Sequence, residues 1–377
     1  MKILAIERSG LFYGSAINLN NWIKKYISED QAHIDVLLGE NGEISKELEG
    51  SGAKVIISPI PEKANKYGKK SIKGINVFIN FLYLLVYNFK TYTRTKKEYD
   101  YIVFNNYRTS IYYLPLLCLY RLFSNSKIIL RLQISQTPIK LLLRMVHSLV
   151  HEVIIHGTEG YSKREFPKYI YDSKKVVCIP NPVNTDKFIR NEKVGNTLRE
   201  KLGIKSDAFV VLSVCYIEPR KGVLQLVRVF KKANLDNSVL VHVGDHGSHE
   251  DYYKEILSLK TENTIFLGKR NDVSDLYSIA DLFVLNSEYE GMPYVIVEAM
   301  SSSLPILSTF AGSNEEVVTA RNGKLIEYNN NELLEKELKY FRDNKNIASE
   351  MGQASRIRVI EEYSEKKYFQ SLSEIFK

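Results

Sequence analysis

A chain of 377 residues, 44% hydrophobic and 25% charged, with 20 glycines and 10 prolines, carries enough apolar material for two cores; a disordered, collagen-like or minimal stapled chain is excluded. Cys118, Cys178 and Cys215 stand far apart with no CxxC pair, which argues against a zinc ribbon or disulfide framework and fits a reducing compartment. The net charge of +8 is uneven, +12 over residues 1–190 and −4 over residues 191–377, so the two halves are expected to meet different partners.

The opening MKILAIERSG has one lysine and too short an apolar run for a signal peptide, and reads as a buried strand over residues 2–7. Further short, mostly apolar runs predict strands at 33–39, 54–58, 101–105, 127–132, 153–156 and 175–179, separated by stretches long enough for crossover helices. Two stretches depart from that pattern. Residues 75–97, INVFINFLYLLVYNFKTYTRTKK, join an aromatic and aliphatic run to a basic cluster, and residues 110–123 are apolar around much of a helix. They read either as core helices or as a surface that sets Tyr and Phe at headgroup depth. Lys63, Lys66, Lys69, Lys70 and Lys73 favour an anionic membrane surface, because a core helix needs no basic neighbourhood. No nucleic-acid-binding module is present, and no partner of that kind is expected.

A turn at Asn181-Pro182 and a polar stretch lead to a second α/β region. Its strands are predicted at 209–214, 239–243, 264–267, 282–285, 306–308 and 324–326, with helices at 222–230, 250–259, 273–280, 294–302 and 331–341. The tail at 346–376 predicts one or two more. The expected fold is α/β, two facing Rossmann-like domains with an interdomain cleft as the default site. The expected boundaries are a first domain at 1–190, a linker at 191–207, a second domain at 208–355, and a C-terminal helix at 356–377.

The most informative block is NSEYEGMPYVIVEAMSSSLPILSTFAGSNEE, residues 286–316. Glu290 falls in the loop after a strand and Glu298 in the helix that opens past Pro293, so both can serve one site without being helix neighbours. Separated carboxylates suit the hydroxyls of a sugar and a ribose, through charge-assisted hydrogen bonds. Gly291 allows close backbone approach, and the amides of Gly291, Met292 and Tyr294 can donate where Pro293 cannot. The loop around Gly312 and Ser313, turning into a helix, suits a diphosphate. In EPRKG, Lys221 and Arg220 supply cations between a strand and a helix, and Gly244-Asp245 in a further loop can approach a base or ribose. In the first half GLFYGSAIN places the amides of Gly14, Ser15 and Ala16 after the first strand, also toward a diphosphate. Asp245, His246, His249, Glu250 and Asp251 have no metal-site spacing, and no metal is expected.

These residues resemble the retaining, nucleotide-sugar-dependent glycosyltransferases of family 4, of GT-B type, which implies an acceptor-side first domain at 1–190, a donor-binding domain at 208–355 and a C-terminal helix at 356–377 that returns to the first domain. GMPYVIVEAM with Glu290 and Glu298 matches the family's paired glutamates, Pro305-Ile306 with residues 309–315 the following segment, and residues 243–247 its glycine loop. The resemblance implies that Glu298 holds the donor ribose, Glu290 touches the donor sugar and Lys221 grips the diphosphate. Tyr216 stands where the family commonly has an arginine, leaving Arg220 to substitute; Arg131 and Gln133 stand where it often has a histidine, and Ser303 where a glycine is common. The implied activity is metal-independent, retaining transfer from a UDP- or GDP-sugar to a hydroxyl of a glycan or lipid-linked saccharide, with Glu290, Lys221 and Arg220 as the catalytic set. Bacterial surface polysaccharide assembly, in the cytoplasm against the inner face of the membrane, is the expected setting. A non-catalytic nucleotide-sugar or glycan-binding partner and a sugar-nucleotide epimerase are the alternatives.

Overall fold

The computed structural model describes residues 1–10, 14–29, 31–62, 75–132 and 140–377, without the side chains of 14–17, 75–77 and 140. Lys63, Lys66, Lys69, Lys70, Lys73 and Gln133 lie outside the described residues, as does the side chain of Ser15. The chain forms two units: Met1–His156 with Ser162–Ile179, and Gly157–Tyr161 with Pro180–Lys377.

The first unit is built on seven parallel strands: β1 (Lys2–Glu7), β2 (His33–Leu38), β3 (Lys54–Ile57), β4 (Tyr101–Asn105), β5 (Lys127–Leu132), β6 (Glu152–Ile155) and β7 (Val176–Cys178), in the order β3-β2-β1-β4-β5-β6-β7. The central runs ILAI, IVF and IIL are fully covered, as strands with helices on both faces must be. The second unit has six: β8 (Phe209–Val214), β9 (Ser238–Val243), β10 (Thr264–Phe266), β11 (Leu282–Leu285), β12 (Ile306–Thr309) and β13 (Gly323–Ile326), in the order β10-β9-β8-β11-β12-β13. In both sheets the order reverses beside the first strand, the place where open α/β sheets receive ligands at their carboxyl ends.

The predicted strands agree with those observed to within a residue or so at each end, because each is a short apolar run closed by polar turn residues. Residues 192–201 form a helix whose Arg199 guanidinium donates to the carbonyls of Ile279, Ser206 and Ala208 and pairs with Asp281 at 2.8 Å. The tail forms the helices Lys345–Arg358 and Glu365–Ile375, separated by a π-helical turn at Val359–Tyr363. Ser303 has φ 58°, the left-handed region that glycine enters without strain.

The helix Ile75–Thr95 is inverted. Its buried side carries Asn80, Tyr87, Asn88, Thr91 and Thr95 beside Leu84, while Phe78, Leu82, Leu85, Val86 and Phe89 are exposed, Phe78 by 61% and Phe89 by 58%. Hydrogen bonds hold several of these buried polar groups, although Asn88 Oδ1 has no partner among the described residues. Tyr87 donates to the Ser58 carbonyl at 2.6 Å, Asn88 donates to the Leu84 and Tyr112 carbonyls, and Tyr120 donates to the Thr95 carbonyl at 2.9 Å. Periodicity reads the apolar stripe of such a helix as its core face; hydrogen bonding turns it round. The helix packs against Leu114–Phe123, whose last residues Leu122 and Phe123 are 73% and 68% exposed. The next helix, Lys140–Leu149, adds exposed Leu141 and Met145. Lys90, Arg94, Arg121 and Arg144 are exposed on these same three helices. Among the described residues no helix is long and apolar enough to cross a membrane.

Candidate functional site

The best-formed site in the second unit lies where β8 and β11, adjacent in the sheet, release their chains. After β8 come Cys215, Tyr216 and a single 3-10 turn, Pro219–Lys221, before the helix Val223–Ala233. After β11 come buried Asn286 and Ser287, then Glu288, Tyr289 and Glu290. Glu288 N–H donates to the Arg220 carbonyl at 2.7 Å, and Asn286 donates to the Gly222 carbonyl at 3.2 Å, tying the two loops together.

That joining brings four charged groups into one place. Lys221 Nζ pairs with Glu290 Oε1 at 2.5 Å, with only 13% and 8% of the two side chains exposed. Arg220 pairs mainly with Glu218 at 2.5 Å, reaches Glu290 Oε2 at 4.0 Å, and stacks its guanidinium 5.0 Å from the Tyr289 ring centroid. Glu218 is a member of this cluster that sequence reasoning missed; its position two residues before Arg220 was the available signal.

The loop after β12 closes over the same carbonyls. Gly312 sits at φ 59°, and a Cβ there would overlap the carbonyl oxygens of Glu290 and Gly291, so only glycine fits. Ser313 N–H donates to the Gly291 carbonyl at 2.8 Å, Asn314 N–H donates to the Ala311 carbonyl at 3.1 Å, and Ser313 Oγ accepts from Thr158 N–H at 3.3 Å. The helix after it, Asn314–Val317, is one turn long. Glu316 does not close a capping box on that turn. It accepts from the Thr158 hydroxyl at 2.5 Å and from the amides of Gly160 and Tyr161 at 2.9 and 2.8 Å.

Pro293 is the N-cap of the helix Tyr294–Ser301, and Met292 is buried, with its carbonyl accepting from Asn181 Nδ2 at 2.8 Å. Glu298 lies one turn into this helix and accepts a hydrogen bond from the Tyr277 hydroxyl at 2.9 Å. Burial pushes the Glu298 carboxyl above the usual carboxylate range, with the Tyr277 bond and the Lys187 charge pulling back. Keeping it ionised at neutral pH therefore costs stability, a cost absent at low pH and incurred as pH rises above 4.5 toward the raised value. We expect Glu298→Gln to weaken nucleotide binding by about 1.5–3 kcal/mol, the worth of one charged hydrogen bond. Calorimetric titration showing wild-type affinity in that variant would remove Glu298 from the site.

Gly244 has φ 152°, and a Cβ there would overlap the Cys215 carbonyl, so the β9 loop presses on the β8 loop. Asp245 accepts from the amides of His246 at 2.7 Å and Gly247 at 3.3 Å, which hold its carboxyl below the usual range. Tyr216 is exposed and lies across this loop, its hydroxyl occupying the space a Cβ on Gly247 would take. Among the described residues no group of three His, Cys, Asp or Glu side chains is placed to hold a metal ion.

In the first unit Gly14 opens the helix Gly14–Ser28. A buried polar chain, unforeseen from the sequence, crosses the carboxyl ends of β1, β4, β5 and β6. Glu7 Oε2 accepts from Asn105 Nδ2 at 2.5 Å; Asn105 Oδ1 accepts from Arg131 Nη1 at 3.2 Å; His156 Nε2 accepts from Arg131 Nε at 3.1 Å. Burial, with the Arg131 charge second, holds His156 well below the usual histidine range. It is a neutral imidazole acting as acceptor.

Comparison with known proteins bears on both units. The family model "Glycosyl transferases group 1" matches residues 195–358. An Escherichia coli UDP-Gal:alpha-D-GlcNAc-diphosphoundecaprenol alpha-1,3-galactosyltransferase is 36% identical over 166 residues, 42% of this chain and 43% of that protein. The alpha-monoglucosyldiacylglycerol synthase of Acholeplasma laidlawii is 30% identical over 233 residues, 59% and 58% of the two chains. The chain thus spans about half the length of these curated relatives. Anabaena Alr3699/HepE, solved in complex with UDP-glucose, is 20% identical, with a TM-score of 0.80 over 100% of this chain and 99% of that one. The fold is accordingly the GT-B type, two Rossmann-like α/β domains. The expected membership of family 4 is corrected: the model that matches is group 1. The residues that carried the resemblance most closely, from Glu290 to Met300, form a loop and one short helix after β11, and so short an element does not fix a numbered family.

Proposed function

We propose that the protein is a glycosyltransferase that moves a sugar from a UDP- or GDP-sugar to a hydroxyl of a glycan or lipid-linked saccharide, in assembly of a bacterial surface polysaccharide. The observation that carries this reading is the convergence of Lys221, Arg220 and Glu290 at the carboxyl ends of β8 and β11, inside the segment matched by the glycosyltransferase model. Residues 208–355 are read as the donor-binding domain and residues 1–190 as the acceptor side. Glu298 takes the ribose, Glu290 the transferred sugar, and Lys221 with Arg220 the diphosphate. Tyr216 with Gly244 and Asp245 lines the nucleoside side. The loop from Gly291 to Tyr294, through Met292 and Pro293, completes the cradle with Gly312 and Ser313.

Departure of the nucleoside diphosphate needs its developing charge stabilised, which Lys221 and Arg220 supply without a metal. The acceptor hydroxyl then attacks from the leaving-group side, its proton passing to a diphosphate oxygen, so configuration is retained without a protein nucleophile. The names of the two relatives, one acting on a diphosphoundecaprenol and one forming a glycolipid, support a lipid-linked acceptor. The test is a transfer assay over a panel of UDP- and GDP-sugars, with bacterial membrane extract as acceptor source and EDTA in a parallel series. Product formed equally with and without EDTA is expected; no hydrolysis or transfer from any donor would overturn the enzyme reading.

The same reading places the protein in the cytoplasm, peripheral on the inner face of the membrane. The inverted helix Ile75–Thr95 supports this, since its exposed Phe, Leu and Val side chains sit with Lys90 and Arg94. Each basic residue near an anionic surface contributes about 1 kcal/mol. Flotation with phosphatidylglycerol vesicles should carry the protein upward at low salt and release it at high salt. Phe78→Ser with Phe89→Ser should weaken flotation while leaving nucleotide affinity intact. Wild-type protein that stays at the bottom of a low-salt gradient would refute the membrane assignment.

A further inference from the structure

The Lys221–Glu290 pair joins two residues that the proposed function assigns to different parts of one donor molecule. At 2.5 Å, with little of either side chain exposed, each neutralises the other. Arg220 cannot take Lys221's place, because its guanidinium is committed to Glu218 at 2.5 Å and to the Tyr289 ring, and it stands 4.0 Å from Glu290. A diphosphate that recruits Lys221 therefore has to take it from Glu290, which is then left shielded from water and without its cation. That state is unfavourable unless something else donates to the carboxylate.

We propose, on the basis of that reading, that the Lys221–Glu290 pair is an exchange latch that distinguishes the sugar-bearing donor from the spent nucleotide. A nucleoside diphosphate-sugar brings both replacements at once: phosphate oxygens for Lys221 and sugar hydroxyls for Glu290. The nucleoside diphosphate alone brings only the first. It takes the lysine and leaves Glu290 unsatisfied, so it is held more weakly. Once the glycosyl group has left, Glu290 loses its hydroxyl donors and re-pairs with Lys221, loosening the diphosphate. The latch thus couples loss of the sugar to release of the product. Binding that is equal for donor and product would shift nothing; only the difference between them does so.

The test is calorimetric titration of UDP and of the tightest-binding member of a UDP-sugar set, with GDP and GDP-sugars substituted if the wild type prefers them. The latch requires the wild type to hold the nucleotide-sugar severalfold more tightly than the nucleotide, a measurement that needs no variant. Glu290→Gln should bind the bare nucleotide about tenfold more tightly, because Lys221 is released from its partner, while affinity for the nucleotide-sugar stays within about threefold. Simple repulsion between Glu290 and the diphosphate would also predict a gain in that variant. The double variant Lys221→Ala/Glu290→Gln separates the two. With a latch, removing Glu290 in the Lys221→Ala background brings no gain; with repulsion alone the tenfold gain persists, and the latch is overturned. A wild type that binds bare nucleotide at least as tightly as every nucleotide-sugar also overturns it. A wild type that binds no nucleotide at all would defeat the donor reading itself, so the two failures are told apart.

Discussion

Lys221→Ala is expected to lower kcat/KM for glycosyl transfer by about 100- to 1,000-fold, the effect of removing one preorganised group that faces developing negative charge. Two consequences of one geometry add here. The transition state loses the cation proposed to face the departing diphosphate, and Glu290 is left in a place where its side chain is only 8% exposed, without its 2.5 Å partner. The second effect is a stability cost, since breaking a shielded pair leaves an uncompensated charge. Activity and folding have to be read separately: thermal unfolding for the cost, steady-state transfer for the chemistry. Tyr216→Phe is the informative contrast. It removes a hydroxyl from an exposed ring lying across the Gly244–Gly247 loop and should change transfer far less. A silent Lys221→Ala beside a severe Arg220→Ala would pass the leaving-group role to Arg220.

The second large effect is expected far from that cluster in the sequence. Arg131→Leu should destabilise the first unit by about 3–5 kcal/mol. Arg131 is 1% exposed, and its guanidinium supplies the donors for Asn105 Oδ1 and His156 Nε2 while Asn105 in turn donates to Glu7. Leucine leaves those acceptors in the core without these donors and removes the cation that Asn105 links to a carboxylate buried to 0% exposure. The chain contains its own reporter. Trp22 is the single tryptophan, is 1% exposed, and has the Arg131 guanidinium 5.4 Å from its ring centroid. Trp22 fluorescence in urea therefore follows the first unit alone, which matters because two units need not unfold as one. A midpoint lower by about 1–3 M is expected from ordinary urea sensitivities. An unchanged midpoint would show the polar chain to be dispensable.

The strands and the carboxylate block were legible in the sequence for different reasons. Buried parallel strands announce themselves as short runs such as ILAI and FVVLSV, bounded by polar turns. Glu290, Gly312 and Lys221 were legible because each follows a strand closely, and chain order alone delivers them to the carboxyl edge of one sheet. For Ile75–Thr95 the sequence left two readings, core or surface, and favoured the surface only on its basic neighbourhood. Its orientation is decided by hydrogen bonds from Tyr87, Asn88 and Tyr120 to backbone oxygens of other segments, and no periodicity encodes where those oxygens lie. The Glu7–Asn105–Arg131–His156 chain was illegible for a related cause: three members come from three different strands and His156 directly follows a fourth, and each alone looks like the polar end of a run. Glu316 stands three residues beyond Ser313, the spacing of a capping box, yet the donors to its carboxylate are 155–158 positions away.

That last contact bears on how the protein can be cut into pieces. Thr158, Gly160 and Tyr161 belong to the second unit but are separated from the rest of it in the chain by Ser162–Ile179. A fragment beginning at Pro180 would contain every strand of the second sheet and still be incomplete. It would strip the Glu316 carboxylate of three donors and Ser313 Oγ of the Thr158 amide. The loop that carries Gly312 would then be anchored from one side only. Expression of the second half by itself is a poor substitute for the whole chain in nucleotide titrations, and a ribosome has synthesised the missing anchor before the first strand of that sheet emerges.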